Sequence, residues 1–144
     1  MQHQNEYSVI FLSLKDMRKD IFERQIEKFG SIISKIIEQY TELLNSNQLD
    51  EYDIKMLLAY RNRESSRNDI KDALLNISMF RKTLWGKVVI LIDKYDVPLQ
   101  DAYLQGYYNE MLYGKTCISN VWRSYRIAFY KKQCYVLAYK EIVK

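Results

Sequence analysis

The chain has 144 residues, is 48% hydrophobic and 28% charged, and carries a formal net charge of +4. With four glycines and one proline, it has the composition of one compact domain with a real core, which excludes collagen-like, low-complexity and disordered chains. Two cysteines and a single histidine, His3, exclude a disulfide framework and leave no ligand set for a zinc site.

The sequence carries no sign of a secretory or membrane address. The first residues lack a basic segment followed by an apolar run, and no stretch approaches the roughly 18 apolar residues of a spanning helix. Because Cys117 and Cys134 are too few for a disulfide scaffold, we expect a reducing compartment, the cytoplasm, and no membrane partner.

Charge is distributed unevenly along the chain. Residues 115–144 carry seven basic side chains against one acid, whereas residues 1–114 carry 15 basic and 17 acidic side chains. Such a basic tail is typical of a segment that binds phosphate groups. In the alternative interpretation it is a solvated hairpin whose lysines discourage edge-to-edge strand pairing.

The first two predicted elements are a short strand and a long amphipathic helix. Residues 7–14 form an apolar run with β-branched and aromatic side chains, which is typical of a buried strand. A stripe of apolar side chains then recurs at alternating steps of four and three residues, which predicts one face of a helix that ends at Asn45–Asn47. The stripe comprises Phe22, Ile26, Phe29, Ile33, Ile36, Tyr40 and Leu43. It fits a coiled-coil seam, but packing onto a sheet of the same domain is the simpler interpretation.

Two further helices are predicted before the next strand. One runs from about Leu49 to Tyr60, and a polar loop follows it. Ser66 and Asp69 have the spacing of a loose capping box at the start of the other helix. That helix carries a second apolar stripe (Ile70, Leu74, Ile77, Phe80 and Leu84) and ends at Trp85–Gly86.

The aliphatic run Val88–Ile92 predicts a second strand near residues 87–93. It shows no alternation, which favours a strand covered on both faces of a parallel sheet. A helix begins at Pro98, so the order of elements indicates an α/β fold with a partial parallel sheet and packed helices. At the end of the chain, residues 127–130 and 134–139 predict a C-terminal antiparallel hairpin.

Asp93 is the candidate functional residue because it stands at the carboxyl end of this second strand. Ligands of open α/β sheets bind at that edge, and in P-loop ATPases an aspartate there holds the Mg²⁺ of the nucleotide. The next residue is Lys94, which is a cation at neutral pH, so it accepts no proton from water and repels a metal ion. In the alternative interpretation, Asp93 and Asp96 cap the following helix.

Residues 91–111 resemble the Walker B region of the bacterial AAA-ATPase-like family. The family segment has hydrophobic residues followed by Ile-Asp-Glu-Tyr-Asp-x-Pro, and this chain matches it except at Lys94. Residues 7–16 resemble the family strand that follows the P-loop helix, and the resemblance extends from Tyr7 to about Met111. It implies a vestigial Mg-ATP site at Asp93 and Asp96, with Asp93 as the Mg²⁺ ligand.

The chain departs from the family pattern in two places. The phosphate loop with Gly-Lys-Ser/Thr has no counterpart before residue 7, and the family order is lost after Met111. Gly114-Lys115-Thr116 is a chance match, because Asn109 stands where the loop motif requires its first glycine. Members of the family typically carry a C-terminal PD-(D/E)XK nuclease-like domain, and residues 126–139 resemble the hairpin that ends it.

These departures lead us to expect a truncated member of the family. Residues 1–113 would form a partial AAA-ATPase-like domain without the P-loop, and residues 114–144 a basic tail. We expect no catalytic residue and no ATP hydrolysis by this chain alone. The alternatives are an interaction module that self-associates or docks onto a full-length relative, or a protein that binds nucleic acid through its tail. The tail candidates are Arg123, Arg126, Lys131 and Lys132.

Overall fold

The computed structural model describes residues 8–94, 97–109 and 135–139. In chain order the elements are β1 (Ser8–Ser13), α1 (Phe22–Gln39), a 3₁₀ turn (Thr41–Leu43), α2 (Glu51–Arg61), α3 (Arg67–Lys71), α4 (Ala73–Trp85), β2 (Val88–Asp93), α5 (Val97–Gln105) and β3 (Tyr135–Tyr139). The helical region between the first two strands and the helix after the second confirm the mixed helix and strand architecture expected from the sequence.

The strands form a parallel sheet in the order β1, β2, β3. β1 pairs with β2 from Ser8 opposite Val88 to Ser13 opposite Asp93, so both strands end at the same edge. The predicted parallel pairing of these two strands is confirmed. β3 pairs with the other side of β2, also in parallel. The predicted C-terminal antiparallel hairpin is not shown, because its first strand, at residues 127–130, lies outside the described residues.

One face of the sheet is buried under helices and the other is not. Alternate residues of both strands, including Ile10 and Ile90, are fully buried where α4 packs on the two strands and α1 on β1. On the opposite face, Val9 is 42% and Phe11 56% exposed, and Leu91 is half-buried. In β2 itself, Val89 and Leu91 on this face are half-buried, so the prediction that both faces of β2 are covered is met only in part among the described residues.

The helix ends follow local side-chain chemistry. Asp50 caps α2 by accepting the backbone N–H of Asp53 at 2.8 Å, and Ser66 caps α3 by accepting that of Asp69 at 3.1 Å. The predicted pairing of Ser66 with Asp69 is thus confirmed. Gly86 ends α4 at a φ of 86°, a backbone conformation that residues with a Cβ rarely adopt.

α1 ends earlier than its apolar stripe predicts. The helix stops at Gln39, and Tyr40 leaves helical geometry before the 3₁₀ turn that still buries Leu43. The Tyr40 hydroxyl donates to the carbonyl of Val9 at 2.8 Å, which anchors this corner on β1. The stripe packs within the described part of the domain, because α1 contacts α2, α3 and β1.

A buried arginine joins α4 to β1 and to the corner after α1. Arg81 is 6% exposed, and its Nε donates to Ser8 Oγ at 2.6 Å. Its Nη1 donates to Glu42 Oε1 at 3.0 Å, and its Cζ lies 3.8 Å from the centre of the Tyr40 ring. The guanidinium therefore connects three separate elements through two hydrogen bonds and one cation–π contact.

Among the described residues, no helix combines the length and the apolar character that a bilayer crossing requires.

Candidate functional site

The candidate site lies at the carboxyl edge of the sheet, where β1 and β2 end side by side. Their parallel register places Ser13 opposite Asp93. The Ser13 hydroxyl donates to Asp93 Oδ2 at 2.9 Å, and the backbone N–H of Leu14 donates to the Asp93 carbonyl at 2.9 Å. Two oxygen-bearing side chains from different strands therefore meet at the edge where open α/β sheets bind ligands.

The chain turns sharply immediately after Asp93. Lys94 has a φ of 56°, in the left-handed region that non-glycine residues seldom occupy. The backbone N–H of Val97 donates to the Lys94 carbonyl at 3.2 Å, which closes the turn into α5. Asp93 itself is half-buried, so its carboxylate lies at the surface of the turn and not in the core.

The donor set at this edge fits a nucleotide-bound Mg²⁺ better than an all-protein metal site. The described residues contain no group of three or more histidines, cysteines or carboxylates that would hold a metal by themselves. Mg²⁺ in nucleotide sites needs less, because one or two carboxylates suffice when phosphates and water supply the other oxygens. Asp93 and Ser13 are the side chains that would hold the ion here.

The other candidates from the sequence fall on parts of the chain that the structure does not describe. These are Asp96, Arg123, Arg126, Lys131 and Lys132, together with His3, Cys117, Cys134 and the Gly114-Lys115-Thr116 segment. The capping role of Asp96 and the phosphate-binding tail therefore stay predictions, as do the domain bounds at residues 113 and 114.

The sequence did not reveal that Ser13 contacts Asp93 at the candidate site. A serine at the end of an apolar strand carries no signal by itself. Its relevance follows only from the strand register, which places it opposite Asp93. An alignment of the apolar runs of the two predicted strands would have indicated that Ser13 pairs with Asp93.

A second group that the sequence did not reveal ties α5 to the segment between β1 and α1. The backbone N–H of Lys19 donates to Asp101 Oδ2 at 2.6 Å, and the Tyr107 hydroxyl donates to the Lys19 carbonyl at 2.6 Å. Gln25, which is 1% exposed, donates to the Tyr107 oxygen at 3.0 Å and to the Pro98 carbonyl at 3.4 Å. Since these residues lie 73 to 88 positions apart, local sequence patterns do not reveal them.

Alkaline pH is expected to destabilise the protein partly through Tyr107. Desolvation by burial raises the pKa of its phenol, the hydrogen bond from Gln25 opposes that shift, and Asp101 and Asp20 add to it. The folded state therefore holds its proton at a pH where the unfolded chain has lost it, so stability falls as the pH rises above about 10. Urea unfolding between about pH 8 and about pH 11 should show a shallower loss in Tyr107→Phe than in the wild type.

The matched control for this titration is Tyr103→Phe, since Tyr103 is 72% exposed. Equal pH slopes for the wild type and both variants would contradict the assignment to Tyr107.

A comparison with known protein families identifies the family of the chain. The family model AAA-ATPase-like, described as "Predicted AAA-ATPase", matches residues 1–136. This chain belongs to the AAA-ATPase-like family. No curated protein and no solved structure matches it.

The family match covers the whole candidate site of this AAA-ATPase-like chain. It includes β1, β2 and the turn at Lys94, and it continues past Met111, where the sequence resemblance was expected to end. The match shows that the chain belongs to the family, and it shows nothing more. The nuclease-like fusion, the truncation and the Walker B role of Asp93 stay predictions.

Proposed function

We propose that this AAA-ATPase-like chain contributes the Mg²⁺-holding edge of an ATP site and does not hydrolyse ATP by itself. The observation that carries the proposal is the Ser13–Asp93 pair at the carboxyl ends of two parallel strands, with a hydrogen bond of 2.9 Å. An aspartate in this place is the Mg²⁺ ligand of P-loop ATPases. Bound Mg²⁺ supplies charge neutralisation for the nucleotide phosphates.

Lys94 is the reason to expect binding without hydrolysis. The sequence places a cationic residue directly after the proposed metal ligand, in the turn that ends β2. An ammonium group accepts no proton from an attacking water at neutral pH, and it lowers the local affinity for Mg²⁺ by charge repulsion. Residues 1–144 contain no Gly-x-x-x-x-Gly-Lys-Ser/Thr segment, so we propose that the phosphate-cradling amides come from sequence outside them or from a second chain.

A phosphate-release assay with Mg²⁺ and ATP tests the proposal directly. We expect no turnover above background for the purified chain or for Asp93→Asn. Lys94→Glu should bind Mn²⁺ roughly tenfold more tightly than the wild type, because it replaces a repelling charge with an attracting one. Lys94→Gln is the control that removes the charge alone and should fall between them. Mg²⁺-dependent turnover that Asp93→Asn abolishes would overturn the lack of hydrolysis.

A second role, self-association, is supported by the uncovered face of the sheet. Val9 and Phe11 are alternate residues of β1, so they lie on the same face of the strand, where they are about half exposed. An apolar patch of this kind is typical of a protein interface. We propose that a second copy of the chain covers it. This role is compatible with the nucleotide site, because Val9 and Phe11 precede the edge where Ser13 and Asp93 lie.

Light scattering distinguishes self-association from a bare monomer. We expect the wild type to show an average mass above that of the monomer, and Phe11→Ser to shift it to the monomer because the patch loses its largest side chain. Leu104→Ser is the control, since Leu104 is 78% exposed on α5 and outside the sheet. A monomeric wild type that binds no dye for exposed apolar surface would contradict this role.

A further inference from the structure

The described structure contains a cluster of buried and half-buried polar groups in the segments that follow β1 and β2. It links the connector between β1 and α1, residues 14–21, to α5 and to Tyr107 just beyond it. The central residue is Lys19, whose backbone N–H is held by Asp101 and whose carbonyl is held by Tyr107, both at 2.6 Å. The backbone of Lys19 is thus bound on its donor side by α5 and on its acceptor side by a residue just beyond α5.

Both segments held by this cluster follow directly from the candidate site residues. The connector begins immediately after Ser13, and α5 begins four positions after Asp93. The strand ends are already joined by the Ser13–Asp93 and Leu14–Asp93 hydrogen bonds. The segments that continue the two strand ends are therefore joined to each other a second time, by the hydrogen bonds of Asp101 and Tyr107 to Lys19.

Gln25 gives the cluster an unusual energetic feature. Its Nε2 donates to Tyr107 and to Pro98, but its buried Oε1 has no hydrogen-bond partner among the residues that the structure describes. A buried acceptor without a partner costs free energy, and an apolar side chain of similar size would avoid that cost. Rotating the amide does not resolve it, since the Pro98 carbonyl requires a donor. The Gln25 side chain therefore connects α1 to α5 through a hydrogen bond, while its own Oε1 stays without a donor among the described residues.

We infer that Asp101 and Tyr107 are positioning residues that hold the connector and α5 in the geometry in which Asp93 and Ser13 bind Mg²⁺. The inference rests on the proposed function and deepens it. Residues outside the ligand set fix the orientation of metal ligands in many proteins, and their loss weakens metal binding although they touch no metal. Here the supporting groups act through the backbone of Lys19, which lies six residues after Ser13.

A pair of substitutions at Asp101 separates positioning from charge. Asp101→Ala removes the acceptor for the Lys19 N–H, whereas Asp101→Asn removes the same charge but keeps an oxygen that accepts it. We expect Asp101→Ala to exchange the Lys19 amide hydrogen at least tenfold faster than Asp101→Asn and to bind Mn²⁺ about tenfold more weakly, the lower end of the range for supporting residues. Since the two variants have equal charge, the difference measures the hydrogen bond.

Tyr107→Phe tests the acceptor side, with Tyr108→Phe as its matched neighbour. We expect weaker Mn²⁺ binding in Tyr107→Phe and unchanged Mn²⁺ binding in Tyr108→Phe. The unfolding free energy of Tyr107→Phe should show that the variant is still folded during the Mn²⁺ titration. Equal Mn²⁺ affinity of Asp101→Ala and Asp101→Asn, together with faster Lys19 exchange in the alanine variant, would overturn the positioning role and leave the proposed function standing. Absence of Mn²⁺ binding at Asp93 in the wild type would overturn both.

Discussion

Arg81→Ala is expected to lower the free energy of unfolding by about 3 kcal/mol, a large share of what a domain of this size has. The substitution removes a hydrogen bond of 2.6 Å to Ser8 and one of 3.0 Å to Glu42. It also removes the cation from the face of the Tyr40 ring and leaves a gap between α4 and β1. Ser8 is only 9% exposed, so water replaces the lost donor poorly.

Urea unfolding monitored by circular dichroism measures this effect. Lys82→Ala, at the next position of α4, is the control and is expected to change stability by about 0.5 kcal/mol or less, as is usual away from a buried network. A double-mutant cycle with Glu42→Gln isolates the ion pair, for which we expect a coupling of about 1 kcal/mol because the Glu42 side chain is 41% exposed. Wild-type stability in Arg81→Ala would show that the network contributes nothing.

Asp93→Asn is expected to weaken Mn²⁺ binding at least tenfold, which corresponds to about 1.4 kcal/mol. The variant keeps the shape of the side chain and an acceptor for Ser13, but it loses the negative charge that attracts the cation. Titration of Mn²⁺ followed by electron paramagnetic resonance measures the change.

The control for this variant is Asp72→Asn. Asp72 is an exposed carboxylate between α3 and α4, so its substitution changes the net charge of the protein by the same amount. Equal weakening in the two variants would mean that Mn²⁺ responds to net charge and not to a site at Asp93.

The position of Asp93 could be predicted from the sequence because two strong patterns meet there. An aliphatic run of strand length ends at a carboxylate, and a proline shortly afterwards begins a helix. Parallel pairing of this strand with residues 7–14 followed from the helical region between them, since parallel strands need a long crossover. The structure confirms the strand, its end and the parallel pairing.

The polar contacts could not be predicted because they depend on tertiary geometry. Arg81 follows Phe80, the position to which the apolar stripe runs from Ile77, yet Arg81 is buried and Phe80 is only half-buried. Its guanidinium is buried only because Ser8, Glu42 and Tyr40 reach it from elements distant in the sequence. In the sequence, Gln25 is likewise a polar residue beside an apolar stripe. In the structure it is buried against Tyr107.

The coverage of β2 shows a limit of pattern reasoning for the sheet itself. A continuous aliphatic run predicts burial on both faces, and the structure buries Ile90 completely while Leu91 is only half-buried. The composition of a segment indicates that it prefers apolar surroundings, but it does not indicate which element covers each face. The uncovered face is the reason for our proposal that a second copy packs there.

The location of bound Mn²⁺ tests the central claim, that the carboxyl edge at Asp93 holds the metal of a nucleotide site. Mn²⁺ broadens the magnetic resonance signals of nuclei close to it, so a titration of the isotope-labelled wild-type protein maps the site directly. We predict that the backbone amides of Ser13, Asp93 and Lys94 broaden first, and that this pattern is lost in Asp93→Asn. Broadening centred on other carboxylates, such as Glu64, Asp69 and Asp72, with Ser13 and Asp93 unaffected, would contradict the claim.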